Sequence, residues 1–384
     1  MTLPSHKPRD TPGTKRMASA TLEQIQQRLS TVIHPVFDAP MLELGLLSQI
    51  RLEGDKVLLT ITLHAASDPL KQEILLRIDR ALEGLGVDSV AADFAVQVPM
   101  RTQNPDDPVP GVKNILLVMS GKGGVGKSTV AVNLALALKR AGTRVGLLDA
   151  DIYGPSIPTM LGVTGQPHSR DGKTIEPLQR FAVKLMSIGF MVENERDAII
   201  WRGPMLQGAL MQFLGDVNWG ELDYLVLDLP PGTGDVALSL AQRLKTTGAV
   251  MVTTPQEVAL QDVYKAVSMC KKLNIPILGV VENMSYFIDS AGVRHEIFGS
   301  GGGQKIAEFA EAPLLGQIPL HPTVREWGDA GTPVVQAAPD HPAAVSFAQV
   351  AETLAERIAL DMFVRGGGKK APDAKGQRRL KIMR

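Results

Sequence analysis

The sequence predicts an α/β protein, a mostly parallel, doubly wound sheet preceded by a small α+β domain. Three observations carry that expectation. Six short apolar segments, NILLVMS, TRVGLLDAD, YLVLDLP, AVMVTTP, PILGVVENM and LLGQIPL, alternate with helix-length stretches between residues 112 and 362. Strands that are apolar on both faces and separated by helices imply a parallel sheet covered on both sides. Upstream, RTQNPDDPVPG (101–111) combines three prolines, two aspartates and a glycine, which is linker chemistry and sets residues 18–100 apart. The 384 residues also exceed what one core usually serves, since a domain takes roughly 100 to 200.

The smaller unit opens with an amphipathic helix around Leu22 to Val32. Ile50 and Leu52 alternate with Gln49, Arg51 and Glu53; after a Gly54-Asp55 turn, Val57, Leu59, Ile61 and Leu63 alternate again, the signature of a hairpin. A helix follows from Pro69 to Leu85 with Leu75, Ile78 and Leu82 on one face, then a strand through Phe94, Val96 and Val98. Residues 1–17 and 363–384 are expected to be unfolded tails.

Composition narrows the function classes. Hydrophobic residues at 44% and charged residues at 21% exclude a wholly disordered or collagen-like chain. No apolar run approaches the roughly 18 to 20 residues of a bilayer-spanning helix, so no membrane partner is expected. The single cysteine, Cys270, has no internal disulfide partner, and the first twenty residues lack an apolar secretion core; both point to the cytoplasm. Net charge is zero, yet residues 1–16 carry +3 and 365–384 carry +7, leaving −10 between them. Those basic ends hold no aromatic side chain to stack on bases, so they read as solvated tails and nucleic acid is not an expected partner.

The strongest motif is GKGGVGKS, Gly121 to Ser128, directly after NILLVMS and opening a helix through Val132 and Leu136. It satisfies G-x-x-x-x-G-K-[ST] in the strand-loop-helix context that a P-loop requires, which makes the sheet that of a P-loop NTPase. Gly121, Gly123, Gly124 and Gly126, with Val125 between the last two, let successive N–H groups converge on phosphate oxygens, and the helix N-terminus adds its partial positive charge. Lys127 is expected to neutralise the β and γ phosphates of ATP, Ser128 to ligate Mg²⁺ and Thr129 to reach the α phosphate. Asp149 and Asp151 end one strand and Asp228 another, with Gly232 just beyond, where open α/β sheets bind ligands. Asp228 would hold Mg²⁺ through water and Asp149 would assist it. Asp151 would orient or deprotonate the attacking water, and the Gly232 N–H would sense the γ phosphate.

Lys122 goes beyond an ordinary P-loop. K-G-G-V-G-K-S with that extra lysine resembles the deviant Walker A ATPases, the group of the nitrogenase iron protein and MinD. The resemblance implies a homodimer that sandwiches ATP, Lys122 crossing to the other subunit's nucleotide. Within that group, LDADIYGPSIPTMLG, WRGPM, LDLPPGTGD, TTPQEVALQDVYKA and VENMSYF followed by IFGSGGG resemble the Mrp or ApbC iron-sulfur cluster carriers over about residues 112–362. HPVFDAPMLELGLL and the following hairpin resemble the MIP18-like domain often fused to them. By the same resemblance Asn283 would contact the adenine edge, with residues near Pro319 shaping that pocket.

The chain departs from that family at one place. Members that bind a [4Fe-4S] cluster carry C-x-x-C between the NMSYF and IFG segments, so that a dimer supplies four thiolates. Here the stretch is Ile288-Asp289-Ser290-Ala291-Gly292-Val293-Arg294-His295, and thiolates are the usual ligands of such clusters. Cys270 follows Val263 and Val267 at helical spacing, which reads as a buried structural residue. Asp289 and His295 are alternative ligand candidates, and the iron-sulfur ligands are otherwise unassigned.

The reading that follows is a cytoplasmic, homodimeric ATP hydrolase, slow and coupled to dimer closure, that assembles iron-sulfur clusters or delivers them to recipient apoproteins. The alternative is a nucleotide-switched adaptor of the same fold that has lost its own cluster site. A positioning ATPase of the MinD kind ranks last, because RRLKIMR is too short and too charged to anchor a membrane.

Overall fold

The structure, a computed structural model, describes residues 20–35, 37–64, 68–151, 154–169, 171–191, 203–232 and 234–365. Residues 1–17 and 366–384 of the expected tails lie outside the described residues, as do Ile152, Tyr153, Trp201, Arg202 and Thr233 of the quoted motifs, whereas 363–365, expected to be unfolded, continue the last helix of the chain. The chain divides into two compact units, one reaching Leu63 and including Asp68–Ala95, the other running from Val96 onward.

In the first unit, α1 (Leu22–Leu29) starts with a capping box between Thr21 and Gln24 and buries Ile25 and Leu29. It stops short of Val32 because the Ser30 and Thr31 hydroxyls take the carbonyls of Gln27 and Arg28, competing with the next helical turn. The hairpin is β1 (Leu47–Glu53) and β2 (Lys56–Leu63), antiparallel, with Val57, Leu59, Ile61 and Leu63 buried. A bulge between Ser48 and Arg51 breaks the β1 alternation. Helix α2 (Asp68–Leu82) turns Ile74, Ile78 and Leu82 inward, an i, i+4 line that replaces the expected Leu75, which is only half-buried. Strand β3 (Ser89–Val96) completes a sheet of order β1-β2-β3.

The second unit begins at Val96, before the expected linker, and 101–111 is fastened down within it. Arg101 and Asp107 form an ion pair at 2.5 Å with both side chains 2% exposed, and Arg101 also donates to the Lys245 carbonyl.

The strands that follow are β4 (Val112–Ser120), β5 (Val145–Asp149), a small antiparallel pair β6 (His168–Ser169) and β7 (Ile175–Glu176), β8 (Leu178–Arg180), β9 (Val183–Ser187), β10 (Leu222–Asp228), β11 (Gly248–Thr253), β12 (Ile277–Glu282), the hairpin β13 (Phe287–Ile288) and β14 (Arg294–His295), and β15 (Leu314–Gln317). Eight of them form one sheet in the order β15-β12-β11-β4-β10-β5-β9-β8, and among its pairings only β8 with β9 is antiparallel. All six expected strands belong to it; β8 and β9 extend it.

Helices α3 (Lys127–Arg140), α4 (Ile157–Leu161), α5 (Gly203–Gly215), α6 (Gly234–Arg243), α7 (Glu257–Lys272), α8 (Gly302–Ala310), α9 (Pro322–Asp329), α10 (Val334–Ala337) and α11 (Pro342–Arg365) fill the connections. The crossover β4-α3-β5 runs one way along the sheet and β10-α6-β11 the other. Right-handed crossovers in opposite directions put their helices on opposite faces, so α3 packs with α11 on one side while α6, α7 and α8 neighbour each other on the second. The strand cores are buried throughout: Ile115 to Val118, Leu225 to Leu227 and Ala249 to Val252 have no exposed surface. Among the described residues no helix is long and apolar enough to cross a membrane.

Candidate functional site

β4, the strand at the centre of the sheet, delivers the chain into the loop 121–126, and α3 begins at Lys127. Gly126 sits at φ 79°, and a Cβ there would come 2.2 Å from the Asn283 amide nitrogen. Only glycine satisfies both the left-handed torsion and that approach. Asn283 in turn donates from Nδ2 to the Val125 carbonyl at 2.9 Å, so its Oδ1 is the end left to accept. Gly121 is held for another reason: a Cβ would meet the α7 backbone at Asp262 and Val263, 2.3 Å away.

Strand register assembles the acidic residues. Asp228 pairs with Asp149 across β10 and β5, and Asp149 with Ser187 across β5 and β9, a row of three polar residues on adjacent strand ends, each without exposed surface. Lys127 Nζ stands 2.6 Å from Asp228 Oδ1 and 3.3 Å from Asp151 Oδ2, and 3.4 Å from the Ser128 hydroxyl. Burial raises the Asp228 pKa against the pull of Lys127. Burial, and then the neighbouring Asp228, push Asp149 up as well.

Asp149 differs from its neighbours in where its oxygens go. Oδ1 accepts the Asp151 N–H, and Oδ2 accepts the Ile157 N–H and the Ser187 hydroxyl. That carboxylate therefore ties both ends of the turn carrying Asp151 to β9, so it fixes the turn rather than standing open to a metal. Gly232, at φ 72°, donates its N–H to the Ser120 carbonyl at 3.0 Å; to reach a phosphate it has to leave that bond.

The donor set fits a magnesium ion that arrives with phosphate. Asp228 Oδ2 and Asp151 Oδ1 are buried with no hydrogen-bond partner among the described residues, and the Ser128 hydroxyl lies beside Asp228. No group of three His, Cys, Asp or Glu among the described residues forms a metal cage, in keeping with a cation that takes few protein ligands and the rest from phosphate and water.

The loop, Lys122, Thr129 and Asp151 line a cleft of about 610 Å³ together with Asn283, Met284, Pro319, Leu320 and His321. Sequence reasoning missed three residues that support it. Ser187 holds Asp149. Glu282, fully buried, accepts from Ser285 and Gln317 and from the Gly303 N–H at the start of α8, which fixes the turn carrying Asn283; a polar residue closing the apolar run ILGVVE was its only signal. His321 caps α9.

The cluster ligands do not fit. Where C-x-x-C was sought, β13 and β14 form an exposed hairpin closed by Asp289 Oδ2 and His295 Nε2 at 2.7 Å, and Asp289 Oδ1 accepts the Ala291 and Val293 N–H groups. Both oxygens of that carboxylate are engaged within the hairpin. Cys270 is fully buried, its Sγ 3.7 Å from Met119 Sδ, and burial pushes its thiol pKa up to about 11, which disfavours the thiolate that ligates iron.

Comparison with known proteins adds the following. A family model described as NUBPL iron-transfer P-loop NTPase matches residues 111–355, and one described as iron-sulfur cluster assembly protein matches residues 22–94. The chain is 46% identical over 342 residues to an iron-sulfur cluster carrier protein of Deinococcus radiodurans, covering 88% of this chain and 96% of that one. It is 47% identical over 305 residues to one of Escherichia coli, covering 79% and 81%. Among solved structures it is similar to a nucleotide-binding protein from Archaeoglobus fulgidus in complex with ADP, with a TM-score of 0.51 and 41% identity over 58% of this chain and 87% of that one.

Proposed function

The chain belongs to the NUBPL iron-transfer P-loop NTPase family and to the iron-sulfur cluster carrier proteins within it, and from that premise we propose that it binds and hydrolyses ATP to assemble or deliver iron-sulfur clusters. The observation that carries this reading is the convergence of Lys127, Asp151 and Asp228 at the mouth of the loop, within 3.3 Å of one ammonium group. Backbone N–H groups of residues 121–129 hold the phosphates, and Lys127 moves from Asp228 to the β and γ oxygens. Ser128 and Asp228 would hold Mg²⁺, which would supply charge neutralisation on the phosphates. Asp151 orients the attacking water, Asp149 fixes the turn that presents Asp151, and Gly232 exchanges the Ser120 carbonyl for the γ phosphate. Asn283 Oδ1, its amide turned by Val125, accepts from the adenine amino group.

Two chains closing on the nucleotide bring Lys122 across the interface, and hydrolysis, slow because it waits on closure, times the handover of cargo to an apoprotein. Mg²⁺-dependent ATP hydrolysis by the purified chain, followed with transfer of iron and sulfide to an apoprotein, tests the reading. Absence of both overturns it. The burial of Cys270 favours a second reading, in which the chain is the nucleotide switch of an assembly whose thiolates belong to a partner; iron bound per dimer separates the two.

A further inference from the structure

Past Asp151 the chain forms a short strut. Helix α4 is tied at its start to Asp149, whose Oδ2 accepts the Ile157 N–H at 3.3 Å while its Oδ1 accepts the Asp151 N–H at 3.2 Å. Ile157 and Leu161 are buried, so the helix is also held along its length. It stops at Gly162, left-handed at φ 60°, and there it meets the end of α9. Gly331, two residues past α9 and at φ 74°, lies so close that a Cβ on it would come 2.6 Å from Gly162 Cα and 2.8 Å from Gly162 N. A Cβ on Gly162 would in turn come 3.2 Å from the Gly331 Cα and carbonyl oxygen. The two helix ends therefore touch backbone to backbone. One turn earlier the approach is repeated, the Met160 methyl lying 3.8 Å from where a Gly328 Cβ would stand.

Both helices line the cleft, α4 through Met160 and α9 through Val324, Arg325 and Gly328. A five-residue strut fixed at one end to Asp149 passes a displacement at its other end to the turn that Asp149 holds, because a packed interior shifts rather than compresses. We propose that Gly162 and Gly331 are positioning residues for hydrolysis: their backbone contact sets how closely α4 approaches α9, and with it the placement of Asp151. This rests on the ATP reading above and adds to it two residues outside the cleft lining.

Gly331→Ala tests this. Its Cβ needs relief of about 1 Å to reach ordinary carbon contact, and a displacement of that size at a catalytic group lowers the rate on the order of 10²-fold. The kcat for Mg²⁺-ATP should fall by about that factor, while affinity for the non-hydrolysable β,γ-imido analogue of ATP, measured by titration calorimetry, stays within about threefold of the parent. Gly162→Ala, whose Cβ is only a few tenths of an ångström too close, should lose less, about three- to tenfold. Gly172→Ala controls for torsional strain, since Gly172 has nearly the same φ, 72°, with open space around it. It should keep the parental kcat although its Tm also falls. Parental kcat in folded Gly331→Ala, an equal loss in Gly172→Ala, or a loss of analogue affinity as large as the loss in kcat would each overturn the proposal. If Gly331→Ala does not fold, Gly162→Ala decides alone, and parental kcat there overturns it. A parent protein that binds the analogue but does not hydrolyse ATP fails the ATP reading itself, before either glycine is changed.

Discussion

The ammonium group of Lys127 and the Asp228 carboxylate, 2.6 Å apart, neutralise each other inside the cleft, the lysine 6% exposed and the aspartate fully buried. In the proposed site the loop's own cation thus holds one oxygen of the carboxylate assigned to the metal, and Gly232 gives Ser120 the N–H assigned to the γ phosphate. On that proposal nucleotide exchanges both contacts rather than filling an idle cradle. Lys127→Ala should leave Asp228 without its counter-charge and the phosphates without theirs. Loss of one such donor in a dry site costs about 3 to 4 kcal/mol, so ATP turnover should fall by at least ~100-fold. Hydrolysis at the parental rate would take this loop out of the mechanism.

Lys122 makes no ion pair among the described residues although it borders the same cleft. If it serves the other subunit's nucleotide, Lys122→Ala should bind ATP within about threefold of the parent, yet lose turnover by on the order of 10²-fold, the effect of removing one transition-state charge. Mixing Lys122→Ala with Asp151→Ala chains should restore part of the activity in one composite site. Unchanged hydrolysis and sedimentation in Lys122→Ala would leave the lysine as a surface residue.

Glu356 on α11 has 1% exposure, and neither of its oxygens has a hydrogen-bond partner among the described residues. Burial, with the nearby Glu352, pushes its pKa up to about 8. The unfolded chain releases this proton near its ordinary value of 4.5, so between pH 4.5 and 8 the native state binds the extra proton. Stability from this group is therefore full below pH 4.5 and declines as pH rises to about 8, by on the order of 3 to 5 kcal/mol. Glu356→Gln removes the titration. Thermal unfolding at pH 5.5 and 8.5 should show a smaller fall in Tm for the variant than for the parent; parallel curves would mean that Glu356 is hydrated and ordinary.

What the sequence disclosed, and what it withheld, follows the range of the interactions. The loop was legible because glycine spacing and the following lysine encode a local backbone path, Asp149 and Asp228 because each closes an apolar strand, and Asp151 because it follows Asp149 by two residues. The Lys127 pair with Asp228 was not, since it depends on a register that joins residues 101 apart. Neither was the role of Ser187, which reaches Asp149 only because β9 lies beside β5. The β8-β9 hairpin escaped notice because its turn is Phe181-Ala182, both left-handed at φ 50° and 58°, where glycine or asparagine usually announces such a turn. Residue 74 took the inward place expected for 75 because helical phase is set by the whole buried face, Leu70, Ile74, Ile78 and Leu82, rather than by any three apolar positions.

The sharpest test concerns cargo. A [4Fe-4S] cluster takes about four ligands, thiolates by preference, and two chains bring only two copies of Cys270. Each is sealed between α7 and β4, against Met119, with a thiol that stays protonated until about pH 11. Iron reaching it would have to open the core, and the alternative candidates Asp289 and His295 already satisfy each other. Anaerobic reconstitution with iron and sulfide should therefore give well under one cluster per dimer, with weak visible absorption, and Cys270→Ala should not change that yield. Adding a cysteine-bearing partner protein should raise bound iron if the thiolates come from outside. Stable cluster at about one per dimer that survives Cys270→Ala would point to Asp289 and His295 after all; cluster lost on that substitution would show that α7 opens from β4 in solution.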